Sequence, residues 1–507
     1  MEFLVFLGVV VAVYGVLLFF DNFFKSCMHH PYEAFLRGTG LTVKFLRLQW
    51  HTTALNRSIV KWSTAYPKLL DLSFGLGVYI SIILMPLASF LIIASTFHTK
   101  SGHGGKGSEG AGSSDVAGVK ESVSLDLLIP GVNLPLNEIG YYVAALAINS
   151  VVHELGHGLA AVLEDIPIKG FGFHVMLIIP MAYTQLDSDQ LNGLRTWKRL
   201  KVLCAGIWHN LVLAACAYLL FMATPAMLSA VYRVNDAVMV TGIKDGSPLL
   251  GTRGLEQGDI ITSINSCDIR NEGSWYGCLL ETLHSQPSYC ISPDFVHLND
   301  ESVPISHKSD GLIECCNAEN KASNCFEYME DINAEDVALP QHMCLNIRKV
   351  IENSFAYCHH QPTCPEGHCF KPMINNFTTI MQIRRDRKPD VIYIGHPADL
   401  TRTIRISQFV PKTGLFQPGF ADAIQLLLKY VTVFALGLAV INVIPCFGFD
   451  GQHIVATLLA NGLVTSRVPQ KSKRDVIALC VNIVGTLFVF ILLTKVFWQM
   501  IFRALWE

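Results

Sequence analysis

The sequence predicts a polytopic α-helical membrane protein of about six spans, with a short re-entrant segment and a separate β-rich polar region. Three observations carry this. The 507 residues are 51% hydrophobic and only 16% charged, with a mean hydropathy of +0.38. Soluble chains carry about a quarter charged residues, so the apolar excess needs lipid around it. Several apolar stretches reach the ~20 residues that cross a bilayer. Finally, ten of the fifteen cysteines fall between 267 and 369, inside the longest polar stretch.

The stretches are 3–20, 72–97, 139–163, 202–223, 422–446 and 476–494. The first has neither a basic n-region nor a small-residue cleavage site, so it is read as a retained span rather than a signal peptide. Arg195, Lys198, Arg199 and Lys201 precede the fourth span, and Arg467, Lys471, Lys473 and Arg474 precede the last. Positive charge favours the cytosolic side. Both clusters are therefore expected in the cytosol, which places 225–421 in the lumen and runs span 139–163 from lumen to cytosol. Segment 21–70, with seven Lys/Arg against Asp21 and Glu33, is then cytosolic, and the Gly/Ser-rich stretch 101–118 is a flexible lumenal loop. The net charge of −3 and the lack of a basic arm exclude a nucleic-acid partner.

Four regions follow: 1–137 with the first two spans and the loop; 138–224 with the central spans; 225–421; and 422–507 with the last spans. Within 225–421, Gly246-Ser247-Pro248-Leu249 and Arg253-Gly254-Leu255-Glu256-Gln257-Gly258-Asp259 resemble the glycine-rich loop of a PDZ domain. The alternation at 260–265 fits the strand after it, and 391–394 and 403–406 fit closing strands. An unrelated small β domain is the alternative. The Cys-rich stretch 267–369 interrupts this domain. Its even cysteine count is expected to be a disulfide framework, although Cys358, Cys364 and Cys369 with His359, His360 and His368 could also bind zinc. Asn376-Phe377-Thr378 is a glycosylation sequon, consistent with a lumenal location, and Asn56-Arg57-Ser58 is another.

The chemistry lies in Val152-His153-Glu154-Leu155-Gly156-His157. In a helix, residues four apart share a face. His153 and His157 can therefore converge on one Zn²⁺, and Glu154 can take a proton from water that the ion activates. The blander reading is a set of interhelical hydrogen bonds. An ionisable group costs ~2.5–3.5 kcal/mol in mid-membrane, so three polar residues at metal spacing ask for a function. A catalytic zinc needs a third protein ligand. Leu163 occupies the position of a third histidine in metzincins, and Glu164 lies seven residues beyond His157, too far along the helix. Asp450 is the best candidate, just past the end of span 422–446 and at the same expected depth as the histidines; a solvated loop acid is the alternative.

These residues resemble the site-2 protease family of intramembrane metalloproteases. That family pairs a membrane His-Glu-x-x-His with a later Asn-x-x-Pro and Leu-Asp-Gly, with a PDZ-like domain between. Here these correspond to His153, Glu154 and His157, then Asn442, Pro445, Asp450 and Gly451, with Phe449 in place of the leucine. The resemblance implies that Asp450 is the third zinc ligand, with one zinc per chain. Cys204-Ala205-Gly206-Ile207-Trp208-His209-Asn210 looks like a further family motif, in which Asn210 could hydrogen-bond near the cleft. Segment 170–180 is too short to span, and the resemblance implies a membrane-embedded hairpin whose edge strand could pair with an unwound substrate; a buried helix turn is the alternative.

By the same resemblance, the substrates are membrane-spanning transcription-factor precursors of sterol and unfolded-protein responses. They would be cut first in the lumen and then in the membrane of the Golgi or endoplasmic reticulum. Two other functions are weighed. A zinc transporter would favour repeated intramembrane acids and inverted repeats, and neither is found. A membrane-anchored protease of lumenal substrates would need the metal motif within 225–421, where none occurs.

Overall fold

The computed structural model describes residues 2–97, 135–251, 253–307, 313–317, 322–329, 339–358, 364, 367–375 and 378–506. The loop 101–118 and the sequon at Asn376, as well as His359 and His360, lie outside them. The chain forms two compact units, one of 1–222 with 426–507 and one of 223–425.

The first unit holds the apolar helices. They are α1 (Glu2–Ser26), α2 (Pro67–Phe97), α3 (Ile139–Leu163), α4 (Thr196–Leu228), α5 (Pro418–Val443), the short α6 (Asp450–Leu459) and α7 (Lys471–Trp506). All but α6 are long and apolar enough to cross a membrane, which makes this a multi-pass membrane protein with six candidate spans. Most run a few residues past the apolar stretch that announces them, since helical hydrogen bonding does not stop at the edge of the hydrocarbon. Where they cross, the side chains are small. Ala160 and Ala161 of α3 pack on Val202 and Ala205 of α4 beside Phe74 of α2. A Cβ on Gly77 would lie 2.8 Å from Trp208, and one on Gly156 would lie 2.7 Å from the Ala205 carbonyl oxygen. Lipid is as apolar as these surfaces, so helices in a membrane associate by close backbone approach rather than by hydrophobic burial.

A four-stranded antiparallel sheet completes this unit. Its strands are β1 (Leu41–Lys44), β2 (Arg47–Thr52), β3 (Ile168–Met176) and β4 (Ile179–Leu186), in the order β1-β2-β3-β4. Segment 170–180 is thus a hairpin rather than a helix turn, reversing at Leu177 with φ 56°. The strands within 41–52 were not anticipated from a segment read only for its charge. β1 pairs with β2, and β2 pairs with β3 residue for residue, Trp50 opposite Phe173 and Thr52 opposite Phe171.

The second unit is β-rich. Strands 388–395, 379–385, 260–264, 238–243 and 404–407 form one sheet in that order, with 267–268 pairing on 260–264. The strands expected at 260–265, 391–394 and 403–406 fall on 260–264, 388–395 and 404–407 of this sheet. Trp275, Leu255, Ile261, Met381 and Leu400 fill its core. Burial pushes the Asp259 carboxyl up, but bonds from Lys388 Nζ at 2.6 Å, the Glu256 N–H and Arg385 Nη1 at 2.9 Å hold it below the usual carboxylate range. A second sheet, of 342–346, 323–328, 368–372, 289–291 and 356–357, is built entirely within the interrupting stretch and its immediate flank.

All ten cysteines of that stretch are paired: Cys267–Cys278, Cys290–Cys364, Cys315–Cys325, Cys316–Cys344 and Cys358–Cys369. Sulfurs so engaged cannot be thiolate ligands, which removes the zinc reading of Cys358, Cys364 and Cys369. His368 instead meets Tyr328 Oη through Nδ1 at 3.2 Å. Thiol labelling of the folded, unreduced protein should leave these ten unmodified, and labelling of most of them would refute the pairing. Replacing both Cys290 and Cys364, which close the longest loop, should cost roughly 4 kcal/mol of domain stability, read by denaturant unfolding.

Candidate metal centre

The site begins on α3. The four-residue spacing puts His153 and His157 on one helix face, both buried, with ring centroids 4.8 Å apart and Nε2 atoms 3.2 Å apart. Asp450 arrives from the other end of the chain. After α5 the backbone breaks at Pro445, turns at Gly448 with φ 89°, and restarts as α6 with Asp450 as its first residue. Gly451 is required there, because a Cβ would run into the Ile444 carbonyl. The Asp450 carboxylate oxygen Oδ2 then lies 3.1 Å from His153 Nε2 and 3.3 Å from His157 Nε2.

The histidines' other nitrogens decide what those short distances mean. His157 Nδ1 lies 2.8 Å from the Val202 carbonyl oxygen, so Nδ1 carries the proton and Nε2 presents its lone pair. His153 Nδ1 meets the Asn210 side chain at 3.1 Å, while the buried Asn210 Oδ1 has no partner. Turning that amide by half a turn satisfies Oδ1 with the His153 Nδ1–H and leaves the second Nε2 lone pair facing inward. Asp450 Oδ2 is buried and has no hydrogen-bond donor, although it stands within ion-pair distance of both rings. Three electron-rich atoms thus face one another at 3.1–3.3 Å. A tetrahedral ion with arms of ~2.0–2.1 Å sets its ligand atoms about 3.3–3.4 Å apart, so the three fit a small divalent cation. His153, His157 and Asp450 can hold a metal ion.

Glu154 points elsewhere, toward the sheet. Its Oε2 accepts the Thr184 N–H at 2.8 Å, and Thr184 Oγ1 donates to the Glu154 carbonyl at 2.9 Å. One turn earlier, Ser150 Oγ accepts the Ala182 N–H at 2.6 Å. The match is geometric. Four residues of helix rise ~6 Å and two residues of strand ~6.8 Å, so α3 satisfies alternate outward amides of β4. β4 is the last strand of its sheet, yet at Ala182 and Thr184 its edge is already bonded to α3. The open edge expected for substrate pairing is not open at these two positions.

A sequence profile for Peptidase family M50 matches residues 141–492. The chain belongs to peptidase family M50, the site-2 protease family. An Arabidopsis thaliana protein named membrane-bound transcription factor site-2 protease homolog is 25% identical over 402 residues, covering 70% of this chain and 76% of its own length.

Within this M50 chain, the structure brings His153, His157, Asp450 and Asn210 together, with Glu154 adjoining. Asn442 is buried near the end of α5, and Pro445 sits in the turn before Asp450, its carbonyl packed against Gly485 of α7; the ligand rings bond to Val202 and Asn210 instead. Two other side chains of ligating type stand apart from the trio. His174 faces Tyr183, and Asp187 caps the helix Ser188–Gly193 while pairing with Lys169 at 3.2 Å. Glu164 binds Lys198 at 2.7 Å and Lys201 at 3.2 Å. Thr184 and Ser150 escaped the sequence reading, and Gly206 was read only as part of the motif 204–210. Ser150 carried a signal, being polar and one turn before Glu154. A Cβ on Gly206 of α4 would lie 2.6 Å from His153 Nε2.

Asp450→Ala should therefore lower metal content sharply, measured by elemental analysis of the purified protein, and an unchanged content would remove Asp450 from the site. Gly206→Ala should displace the rings and weaken metal affinity about 10–100-fold, the usual effect of disturbing ligand support, as read by chelator competition.

Proposed function

We propose that the chain is a zinc-dependent endopeptidase that cuts membrane-spanning segments of protein substrates within the bilayer. The observation that carries this reading is the trio of His153, His157 and Asp450 donor atoms, with Glu154 next to His153 in the chain, in a bundle of candidate membrane spans. One zinc would be held by those three residues. When bound, zinc supplies Lewis acidity and brings water's pKa to about 7. Glu154 accepts the proton of the attacking water and returns it to the leaving amine. The Thr184 N–H orients its carboxylate for this. The Val202 carbonyl and Asn210 fix the tautomers of the two ligand rings. A substrate helix hides its peptide bonds in its own hydrogen bonds, so it must unwind locally before it is cut.

The name of the Arabidopsis relative supports a substrate class of membrane-bound transcription-factor precursors. We assign to this chain the sterol- and stress-response precursors, already trimmed on their lumenal side and releasing a cytosolic part, in the Golgi or endoplasmic reticulum. Residues 225–421 are assigned as a lumenal PDZ-like domain with its Cys-rich insertion, which the antiparallel sheets and five disulfides support, and Asn376 as a glycosylation site. The hairpin 168–186 is assigned as re-entrant in the membrane, the zinc as lying toward the cytosolic side, and Asn442 and Pro445 as shaping the turn to Asp450. Membership of a peptidase family favours this reading over a transporter.

Glu154→Gln should keep its zinc and lose cleavage of a pre-trimmed membrane substrate by about 10²–10⁴-fold, the range for a lost general base. Near-normal cleavage would take Glu154 out of the mechanism, and lost zinc would make it a ligand.

A further inference from the structure

A cavity of about 160 Å³ lies between α3 and one face of the four-stranded sheet. Glu154 and Leu155 wall it from the helix, Phe171 and Phe173 from β3, and Trp50 and Leu55 from the segment around β2. The strand register explains the wall. Trp50 stands opposite Phe173, and Phe173 opposite Ala182, so their side chains share one sheet face. Glu154 is the only charged residue in the lining. Trp50 and Leu55 are 47% and 38% exposed, so the lining continues to the surface of the unit.

We propose that this cavity receives the side chain of the substrate residue next to the scissile bond and selects a medium-sized apolar residue there. The inference rests on the reading above that Glu154 handles the proton at the scissile peptide. A general base works within about 3 Å of the group it serves. Successive Cα atoms are 3.8 Å apart, so a side chain flanking the scissile bond is within reach of a cavity that Glu154 itself lines. The volume is below the ~300–1,000 Å³ of small-molecule sites and suits one side chain. The apolar lining suits the residues that membrane segments carry. Trp50 and Leu55 then determine specificity without touching the reacting atoms.

The test is a single-span membrane substrate carrying Gly, Val, Leu, Phe or Trp in turn at each position around the cut. It is cleaved by the natural protein, by Trp50→Ala and by Leu55→Trp, with kcat/KM ratios between substrates compared inside each protein. Ratios are insensitive to the fraction of each variant that folds. The natural protein should prefer Leu over Gly and Trp at one flanking position. Trp50→Ala, with a larger cavity, should shift that preference toward Phe or Trp, and Leu55→Trp toward Val. Each shift should be about tenfold or more, the scale on which an apolar pocket discriminates. Profiles that are the same in all three proteins, or that shift equally at every position, would overturn the pocket. If one variant is inactive, the other decides alone. A natural protein that cuts none of the substrates would instead overturn the protease reading itself.

Discussion

Asp450 Oδ2 is the atom on which the membrane unit turns. It is buried, it has no hydrogen-bond donor, and it faces the lone pairs of two imidazoles at 3.1 and 3.3 Å. In an apolar bundle such an arrangement is unfavourable without a cation, because each unpaired polar atom loses its water and gains nothing in return. The surrounding helices are arranged to permit it. Gly206 removes the side chain that would strike His153, Gly451 lets α6 start against the Ile444 carbonyl, and Pro445 with Gly448 redirects the chain from α5. Stability is given up at this point in exchange for a cation site.

The same economy of polar groups explains how the sheet and α3 are joined. An amide in lipid must be bonded within the protein. Ser150 and Glu154 meet that demand for β4, and in doing so they hold the Glu154 carboxylate at the sheet rather than in the ring pair. One contact therefore serves both folding and orientation. It also constrains any account of substrate binding, since β4 is already bonded to α3 where an unwound chain would otherwise add as a strand.

Away from the candidate metal site, two polar contacts tie α3 and the residue before it to α5. Tyr430 of α5 donates to Glu138 at 2.5 Å beside Tyr142 of α3, and Asn149 donates to the Val431 carbonyl at 3.3 Å. The helix with both histidines and the helix that leads to Asp450 are thus joined around Tyr430 and Val431 by bonds that need no ion.

What the sequence determined by itself was whatever depends on neighbours within a turn or a span. Span lengths were legible because hydrophobicity summed over ~20 residues is a local property. The pair His153 and His157 was legible because the helix period places them on one face. The pairing of ten clustered cysteines was legible as a class, from composition. Everything that joins distant segments was not. Asp450 lies 293 residues after His157, and its role came from its place at the end of a span and from family resemblance. The strand at 47–52 finds its outer partner more than a hundred residues later, and nothing in its own short, charged-flanked pattern announces it. Disulfide connectivity and the capping of β4 by α3 likewise depend on which surfaces meet. Only the tertiary structure decided them, because pairing across the chain is set by close packing of whole elements rather than by the residues at either end.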